Sequence, residues 1–159
     1  MKTKLLPYLM ICSAFPLLAQ ERSILIQPFV SDGFFASRVN GANTDLLTAG
    51  VAVIAPVSKK FFVRPLVAAG RSFAIDPPKP TPSVSVFQVG ALVGYRVVKR
   101  FSALTGFQET VQFPESGTLY LPTLVVSTAT RFHGNWGILT PFSVNARSYG
   151  ICAQLAYAR

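Results

Sequence analysis

The chain has 159 residues, 50% of them hydrophobic, with a mean hydropathy of +0.42 and a formal net charge of +9. This length suffices for one domain and excludes a second domain of ordinary size. The basic excess invites an anionic partner, but the lysines and arginines are scattered and form no stripe, which argues against nucleic acid.

Residues 1–19 have the composition of an export signal. Two lysines lie at the start, an apolar stretch covers about 5–18, and Ala19 offers the small residue that signal peptidase requires. We therefore predict cleavage after Ala19, which leaves residues 20–159 as a single domain. Export is a second argument against nucleic acid as the partner.

The exported part is rich in apolar residues, yet no segment offers the roughly 20 consecutive apolar residues that a membrane-spanning helix needs. In hydrocarbon, only helices and closed β-barrels satisfy every backbone N–H and C=O. After cleavage Cys152 is the only cysteine, so no intramolecular disulfide is expected. We therefore predict an all-β fold, an eight-stranded antiparallel up-and-down transmembrane β-barrel.

Period-two alternation of apolar and polar residues marks the predicted strands. In 61–75 and 84–98, one parity is apolar and the other carries small or polar residues. The clearest case is 118–133, in which Tyr120 and Phe132 belong to the apolar parity. The eight predicted strands are 23–30, 48–57, 61–75, 84–98, 101–113, 118–133, 137–146 and 150–159.

The connections between these strands alternate in length, which is typical of outer-membrane barrels. Tight turns follow strands two, four and six, at 58–60, 99–100 and 134–137. Longer loops follow strands one and three, at 31–45 and 76–82. We expect the turns on the periplasmic side and the loops outside the cell.

Four prolines fall inside predicted strands, where a residue without a backbone N–H normally interrupts the ladder. These residues are Pro28, Pro65, Pro122 and Pro141. We expect β-bulges at these positions.

Several polar and charged residues share the inward parity of their strands. We interpret the lumen as basic and filled by side chains, as expected for a barrel of eight strands. An anion-selective pore is the alternative interpretation. Glu109 is the nearest acid, but its parity is outward. The predicted lumen-facing polar residues are Arg64, Gln88, Arg96, Arg131, His133, Asn145 and Arg147.

Aromatic residues of the outward parity are predicted to form two girdles at the membrane interfaces. Tyr120 and Phe132 are about 40 Å apart along their strand, or about 28 Å along the membrane normal at a tilt of about 45°. Trp136, in the last tight turn, is assigned an anchoring role at the periplasmic interface. The predicted girdle residues are Phe87, Tyr95, Tyr120, Phe132, Phe142 and Tyr157.

The last strand has a polar residue followed by glycine and alternating hydrophobic residues, namely Ser148, Gly150, Ala153, Leu155 and Tyr157. With this element the chain resembles the small outer-membrane barrels of the OmpA transmembrane-domain and OmpX kind over residues 20–159. The resemblance implies a bacterial outer-membrane location, insertion by the barrel assembly machinery, and contact with outer-membrane lipids and lipopolysaccharide. The sequence leaves the oligomeric state open, and a monomer is our expectation.

Basic residues near the predicted outer end are candidates for contacts with lipopolysaccharide phosphates. Solvated loop charge is the alternative interpretation of these residues. They are Arg38, Arg71, Lys79 and Arg147.

The segment 131–135 is similar to the His-x-Ser-Asn motif of the lipid A deacylase barrels, with His133 as its histidine, but the serine is missing. We therefore predict no catalytic residue, no metal site and no cofactor. The leading hypothesis is a structural or surface-interaction protein without chemistry of its own. The alternatives are a narrow anion-selective pore, a lipid A-modifying enzyme and a soluble secreted β-sandwich.

Overall fold

The computed structural model describes residues 23–38, 43–75, 83–115 and 117–158. The predicted signal segment, 1–19, lies outside the described residues, so its cleavage stays a prediction. In the described part of the chain, no helix is long and apolar enough to cross a membrane.

The described residues form eight strands, the number that the alternation predicts. The strands are β1 (Leu25–Ser37), β2 (Asn43–Pro56), β3 (Phe61–Ala74), β4 (Val84–Val98), β5 (Phe101–Phe113), β6 (Leu119–His133), β7 (Trp136–Val144) and β8 (Ser148–Tyr157).

The first two strands are longer than predicted, and the predicted loop 31–45 is wrong in its extent. β1 continues to Ser37 and β2 begins at Asn43. Both extensions are paired, since Ala36 lies opposite Asn43 and Ser37 lies opposite Ser148 of β8. Ladder hydrogen bonds to two neighbours thus hold both extensions in the strand conformation, although their sequence predicts a loop.

Every strand pairs with the next one along the chain, and β1 pairs with β8, which closes the sheet into an antiparallel barrel. The predicted fold class is confirmed. The register shows how far the strands are staggered. A path that starts at Leu25 and steps from each residue to its partner on the next strand returns to β1 at Phe35, ten residues further along. Such a stagger accompanies a strand tilt of about 35–45°, at which eight strands enclose just enough room for side chains.

The two ends of the barrel differ in their connections, and both ends of the described chain lie at the end with the tight turns. The turn end carries the connections 57–60, 99–100 and 134–135. The loop end carries the ends of β1, β3, β5 and β7 and the starts of β2, β4, β6 and β8, with the described connection 145–147.

The outward face exposes large apolar side chains on every strand, of which Phe107 is the most exposed at 70%. The charged exceptions among the described strand residues all lie nearer the loop end than the turn end. These exceptions are Asp32, Asp45, Arg71 and Glu109. Examples of the apolar set, one per strand, are Val30, Val51, Phe61, Phe87, Phe107, Val126, Phe142 and Ile151.

The barrel interior has two layers of different polarity. Nearer the turn end, buried apolar side chains form the core cluster, and nearer the loop end uncharged polar side chains dominate. The larger members of the apolar layer are Phe29, Phe62, Leu66, Leu92, Leu104, Val125 and Leu139. Buried members of the polar layer are Thr48, Ser72, Gln88, Thr110, Thr123 and Ser143.

The four strand prolines cause no register shift, so the bulges predicted at these positions are wrong. The register shifts of the described strands lie between Arg96 and Val98 and between Arg131 and His133, both at the turn end.

Each of the four prolines instead lies where one of its two neighbouring ladders is absent. Pro65 pairs with β4 but falls in a gap of the β2–β3 pairing, and Pro141 pairs with β6 but falls in a gap of the β7–β8 pairing. Pro28 lies beyond the last β1–β8 pair, and Pro122 lies beyond the last β6–β7 pair. Because one side of each proline has no ladder bond to lose, the missing N–H is tolerated.

Candidate functional site

Arg64 is the one charged side chain among the buried residues of the described chain, with 1% of its surface exposed. Its Nε donates to Gln27 Oε1 at 2.8 Å, and its Nη2 donates to Gln154 Oε1 at 3.4 Å. The guanidinium carbon lies 5.4 Å from the centre of the Phe29 ring. Three strands, β1, β3 and β8, therefore hold the guanidinium inside the apolar layer.

No carboxylate compensates the charge of Arg64 within the described part of the barrel interior. Asp32, Asp45 and Glu115 are exposed, and Glu109 is half-buried with its strand parity outward. The register of β5 is continuous through Glu109, so no bulge turns this side chain inward. The acceptors around the guanidinium are neutral amide oxygens, which satisfy its hydrogen bonds without neutralising it.

Further basic residues lie where the interior opens at the turn end. Arg96, Lys99, Arg100 and Arg131 line a cavity of about 100 Å³, and Arg64 forms part of its inner wall. All four are exposed, and Arg96 Nη1 donates to the carbonyl oxygen of Lys59 at 3.5 Å. We call this set of four residues the turn-end mouth.

Gln88, Asn145 and Arg147, which are also predicted to face the lumen, lie nearer the loop end. Gln88 is buried in the polar layer and lines a cavity of about 40 Å³. Asn145 Oδ1 accepts hydrogen bonds from the backbone N–H groups of Arg147 and Ser148, both at 2.8 Å, so this side chain shapes the connection between β7 and β8. Arg147 lies in that connection and is exposed, which corrects its assignment to the lumen.

His133 is the last residue of β6, and its side chain lies outside the described part of the chain. The hypothesis of a histidine in the lumen therefore stays a prediction. Among the described residues, no group of three or more His, Cys, Asp or Glu side chains is placed to hold a metal ion.

The six predicted girdle aromatics have the outward parity of their strands. Tyr120 lies near the loop end, and Phe132 lies at the turn end. Two others make ring contacts at the turn end. The ring centres of Tyr95 and Phe61 are 5.0 Å apart, and so are the ring centres of Tyr157 and Trp136.

Phe87 and Phe142 complete the set, and both are exposed. Phe87 lies near the start of β4, at the loop end. Phe142 is paired with Val126, in the middle of β6, so the structure places it at mid-height on the barrel rather than in a girdle. The short β7 explains the difference, because its end at Val144 pairs with Leu124, five residues short of the loop-end start of β6 at Leu119.

The sequence patterns did not identify two residues of the site, Gln27 and Gln154. Both have the inward parity of otherwise small or apolar strands, and this parity is the signal that could have identified them. Lys99 and Arg100 were assigned only to a turn, because strand parity says nothing about the direction of turn side chains.

No known family profile matches the sequence, and no curated protein matches it. Solved structures do match along most of the chain. A de novo designed transmembrane β-barrel has 16% identity and a TM-score of 0.58, with 85% of this chain and 95% of the designed chain covered.

Two natural proteins give similar matches. Ail, the attachment invasion locus protein of Yersinia pestis, has 10% identity and a TM-score of 0.50, with coverage of 86% of this chain and 97% of Ail. Neisserial surface protein A has 9% identity and a TM-score of 0.51, with coverage of 84% and 96%. At these identities the likeness establishes the fold alone: in architecture, the chain resembles the small eight-stranded outer-membrane β-barrels.

Proposed function

We propose that the protein is an integral outer-membrane β-barrel, exported by a cleavable signal, with a structural or surface-interaction role and no chemistry of its own. The observation that carries this proposal is the distribution of polarity. Large apolar side chains are exposed on the outside of all eight described strands, whereas Arg64 and the amides of Gln27, Gln88 and Gln154 are buried inside. This arrangement suits a hydrocarbon exterior and is the reverse of a soluble β-sandwich.

The filled interior supports a role that does not depend on conduction. Leu92, Leu104 and Val125 have between 2% and 3% of their surface exposed, and they form a layer between the turn-end mouth and the polar layer. An interior of this kind is expected when eight strands close on packed side chains. The anion-selective pore would need this layer to open.

The connections at the loop end are where a surface interaction would occur. Arg38 and Arg147 are neighbours there, because the backbone N–H of Arg38 donates to the carbonyl oxygen of Arg147 at 2.7 Å. Both side chains are exposed, and the Arg38 guanidinium lies 5.6 Å from the centre of the Tyr149 ring. Guanidinium groups bind phosphate well, and these two exposed arginines start from neighbouring backbone positions, so lipopolysaccharide is the partner that we propose at this end.

Cell fractionation tests the proposed location and the barrel closure together. The full chain is expressed in a Gram-negative host, and its outer-membrane fraction is run on a gel with and without boiling. We expect the protein in this fraction, shortened at its N-terminus, with a change of mobility on boiling because a closed barrel resists the detergent until it is heated.

The control is a variant that lacks residues 2–19, which should stay inside the cell. Recovery of the full chain from the periplasm as a detergent-free soluble protein would contradict the proposal and favour the secreted β-sandwich. An altered mass of lipid A in the expressing cells would instead favour the enzyme alternative.

A further inference from the structure

The basic residues of the interior are concentrated at one end of the barrel. Five cationic side chains line the turn-end cavity: Arg64 in its wall, and Arg96, Lys99, Arg100 and Arg131 around the opening. The cavity of about 40 Å³ nearer the loop end is lined by uncharged polar and apolar residues. The positive potential of the interior is therefore highest at the turn end.

No acidic side chain of the described chain lines this cavity. Like charges that converge on a partly enclosed space repel one another more strongly than they do in open water, because the effective dielectric constant is lower there. The innermost cation, Arg64, donates its hydrogen bonds to two uncharged amide oxygens, so its positive charge is not neutralised by them. A bound anion would compensate a charge that nothing else in the described interior compensates.

We propose that the turn-end mouth is a binding site for a small phosphate-class oxyanion. The cavity of about 100 Å³ fits such a ligand, since a single buried water needs only about 10–15 Å³. Guanidinium groups suit the ligand chemically, because their planar N–H pairs match the oxygens of phosphate. Arg96 on β4 and Arg131 on β6 bind the anion at the opening, and Arg64 lines the cavity on the side of the barrel interior.

The site retains its anion rather than passing it through the barrel. Leu92, Leu104 and Val125 belong to one buried apolar cluster beside the cavity, and the void that Arg64, Leu92 and Val125 line within the barrel has a volume of only about 40 Å³. The inference goes beyond the proposed structural role and does not depend on it, because it concerns the interior of the purified barrel. In an outer-membrane barrel the turn end faces the periplasm, so the anion would come from that side.

Trp136 provides the signal for the test. It is the only tryptophan in the sequence, and it lines the cavity. The full chain, folded in an uncharged detergent at low ionic strength, is titrated with inorganic phosphate while its tryptophan emission is recorded. We expect a saturable change that weakens as sodium chloride is added, because salt screens the charges at the exposed opening.

Two double variants distinguish binding in the cavity from attraction by the general positive charge of the turn end. Arg96→Gln combined with Arg131→Gln should weaken phosphate binding by about tenfold or more, because two charge-assisted contacts are lost. Lys59→Gln combined with Lys60→Gln removes the same charge from the same end, but neither residue lines the cavity. This control should change the affinity by about twofold or less.

A second titration identifies the source of the anion. Glycerol 3-phosphate carries the phosphate group of a lipid headgroup, so binding at least as strong as that of inorganic phosphate would assign the site to a headgroup. Binding of inorganic phosphate alone would assign it to a free anion. The proposal is overturned if neither compound gives a saturable change, or if the lysine control loses as much affinity as the arginine variant.

Discussion

At the scale of single residues, Arg64 is the side chain that matters most for the stability of the barrel interior. Burial of a cation costs free energy unless hydrogen bonds replace its water shell, and here Gln27 and Gln154 supply neutral acceptors. The Phe29 ring adds a favourable cation–π contact at 5.4 Å. The four side chains form one unit that ties β1, β3 and β8 together where the barrel closes.

Two substitutions of Arg64 separate its volume from its charge. Arg64→Ala should lower the free energy of unfolding by roughly 2–4 kcal/mol, because it opens a cavity and leaves two buried amides without their donor. Arg64→Met fills most of the volume and removes the buried charge, so its loss should be about 1 kcal/mol.

Urea titration of the barrel folded in lipid vesicles, followed by Trp136 emission, measures both losses. A loss for Arg64→Met as large as that for Arg64→Ala would mean that the guanidinium bonds, rather than the filled volume, stabilise the interior.

Strand parity predicted from the sequence which way Arg64 and Gln88 face, because a continuous ladder fixes the direction of alternate side chains. It could not place Arg147, since the strand ends at Val144 and a connection has no parity. It could not find the turn-end mouth as a cavity either. That site depends on β4 and β6 bringing Arg96 and Arg131 together with a turn, a relation between segments far apart in sequence.

At the scale of the strands, hydrophobic alternation sufficed to predict eight of them, but it missed the ends of β1 and β2. The missed ends, 31–37 of β1 and 43–47 of β2, carry Asp32, Gly33 and Asp45. Pairing with two neighbours keeps each of these ends extended, and a single sequence does not reveal the pairing partners. The predicted bulges failed for the same reason, because a gap inside a ladder, as at Pro65 and Pro141, or a ladder that ends short of the proline, as at Pro28 and Pro122, depends on the neighbouring strand.

Proline scanning of β3 tests the role of the ladder gaps. Val67 is paired with Val51 on one side and Val89 on the other, whereas Pro65 lies in a gap. We expect Val67→Pro to cost about 3 kcal/mol or more, because it removes a ladder bond and strains the strand. Pro65→Ala should change the free energy of unfolding by only about 0.5 kcal/mol.

The measurement is urea titration in vesicles, with unboiled gel mobility as a check that each variant closes. A large loss for Pro65→Ala would contradict the interpretation that the gap tolerates proline, and would indicate that the rigid ring itself stabilises β3.

At the scale of the whole molecule, the outward acids test which medium surrounds the barrel. Asp32 is exposed between Leu47 and Ala153, five residues from the end of β1, whereas Asp45 lies only two residues from the start of β2. A charge on a lipid-facing strand costs more the deeper it lies. In vesicles, Asp32→Val should therefore raise the free energy of unfolding by roughly 1 kcal/mol, and Asp45→Val should raise it less.

Urea titration of both variants against the unchanged chain gives this comparison. In a soluble protein neither substitution would raise the free energy of unfolding, since a new exposed valine adds no stability in water and favours aggregation. Equal effects of the two substitutions would contradict the proposed depth of Asp32 in the hydrocarbon.

Conduction also belongs to the whole molecule, because it requires a continuous path between the two ends. The layer of Leu92, Leu104, Val125 and Leu139 is buried and apolar, and Arg64 is the one cation held in it, so an ion that crossed it would lose most of its water shell. In planar bilayers we therefore expect the unchanged chain to show no single-channel steps. Leu92→Ala combined with Leu104→Ala, checked for closure by unboiled gel mobility, should open a path and produce steps.

The steps of this opened variant should be anion-selective, because the cations that line the turn-end cavity remain in place and attract anions to the path. The unchanged chain provides the decisive comparison. If it already conducts anions, and Arg96→Gln with Arg131→Gln abolishes the steps, then the apolar layer is not a barrier and the narrow anion pore is the correct function. If only the opened variant conducts, the same arginines act as a site at a closed end.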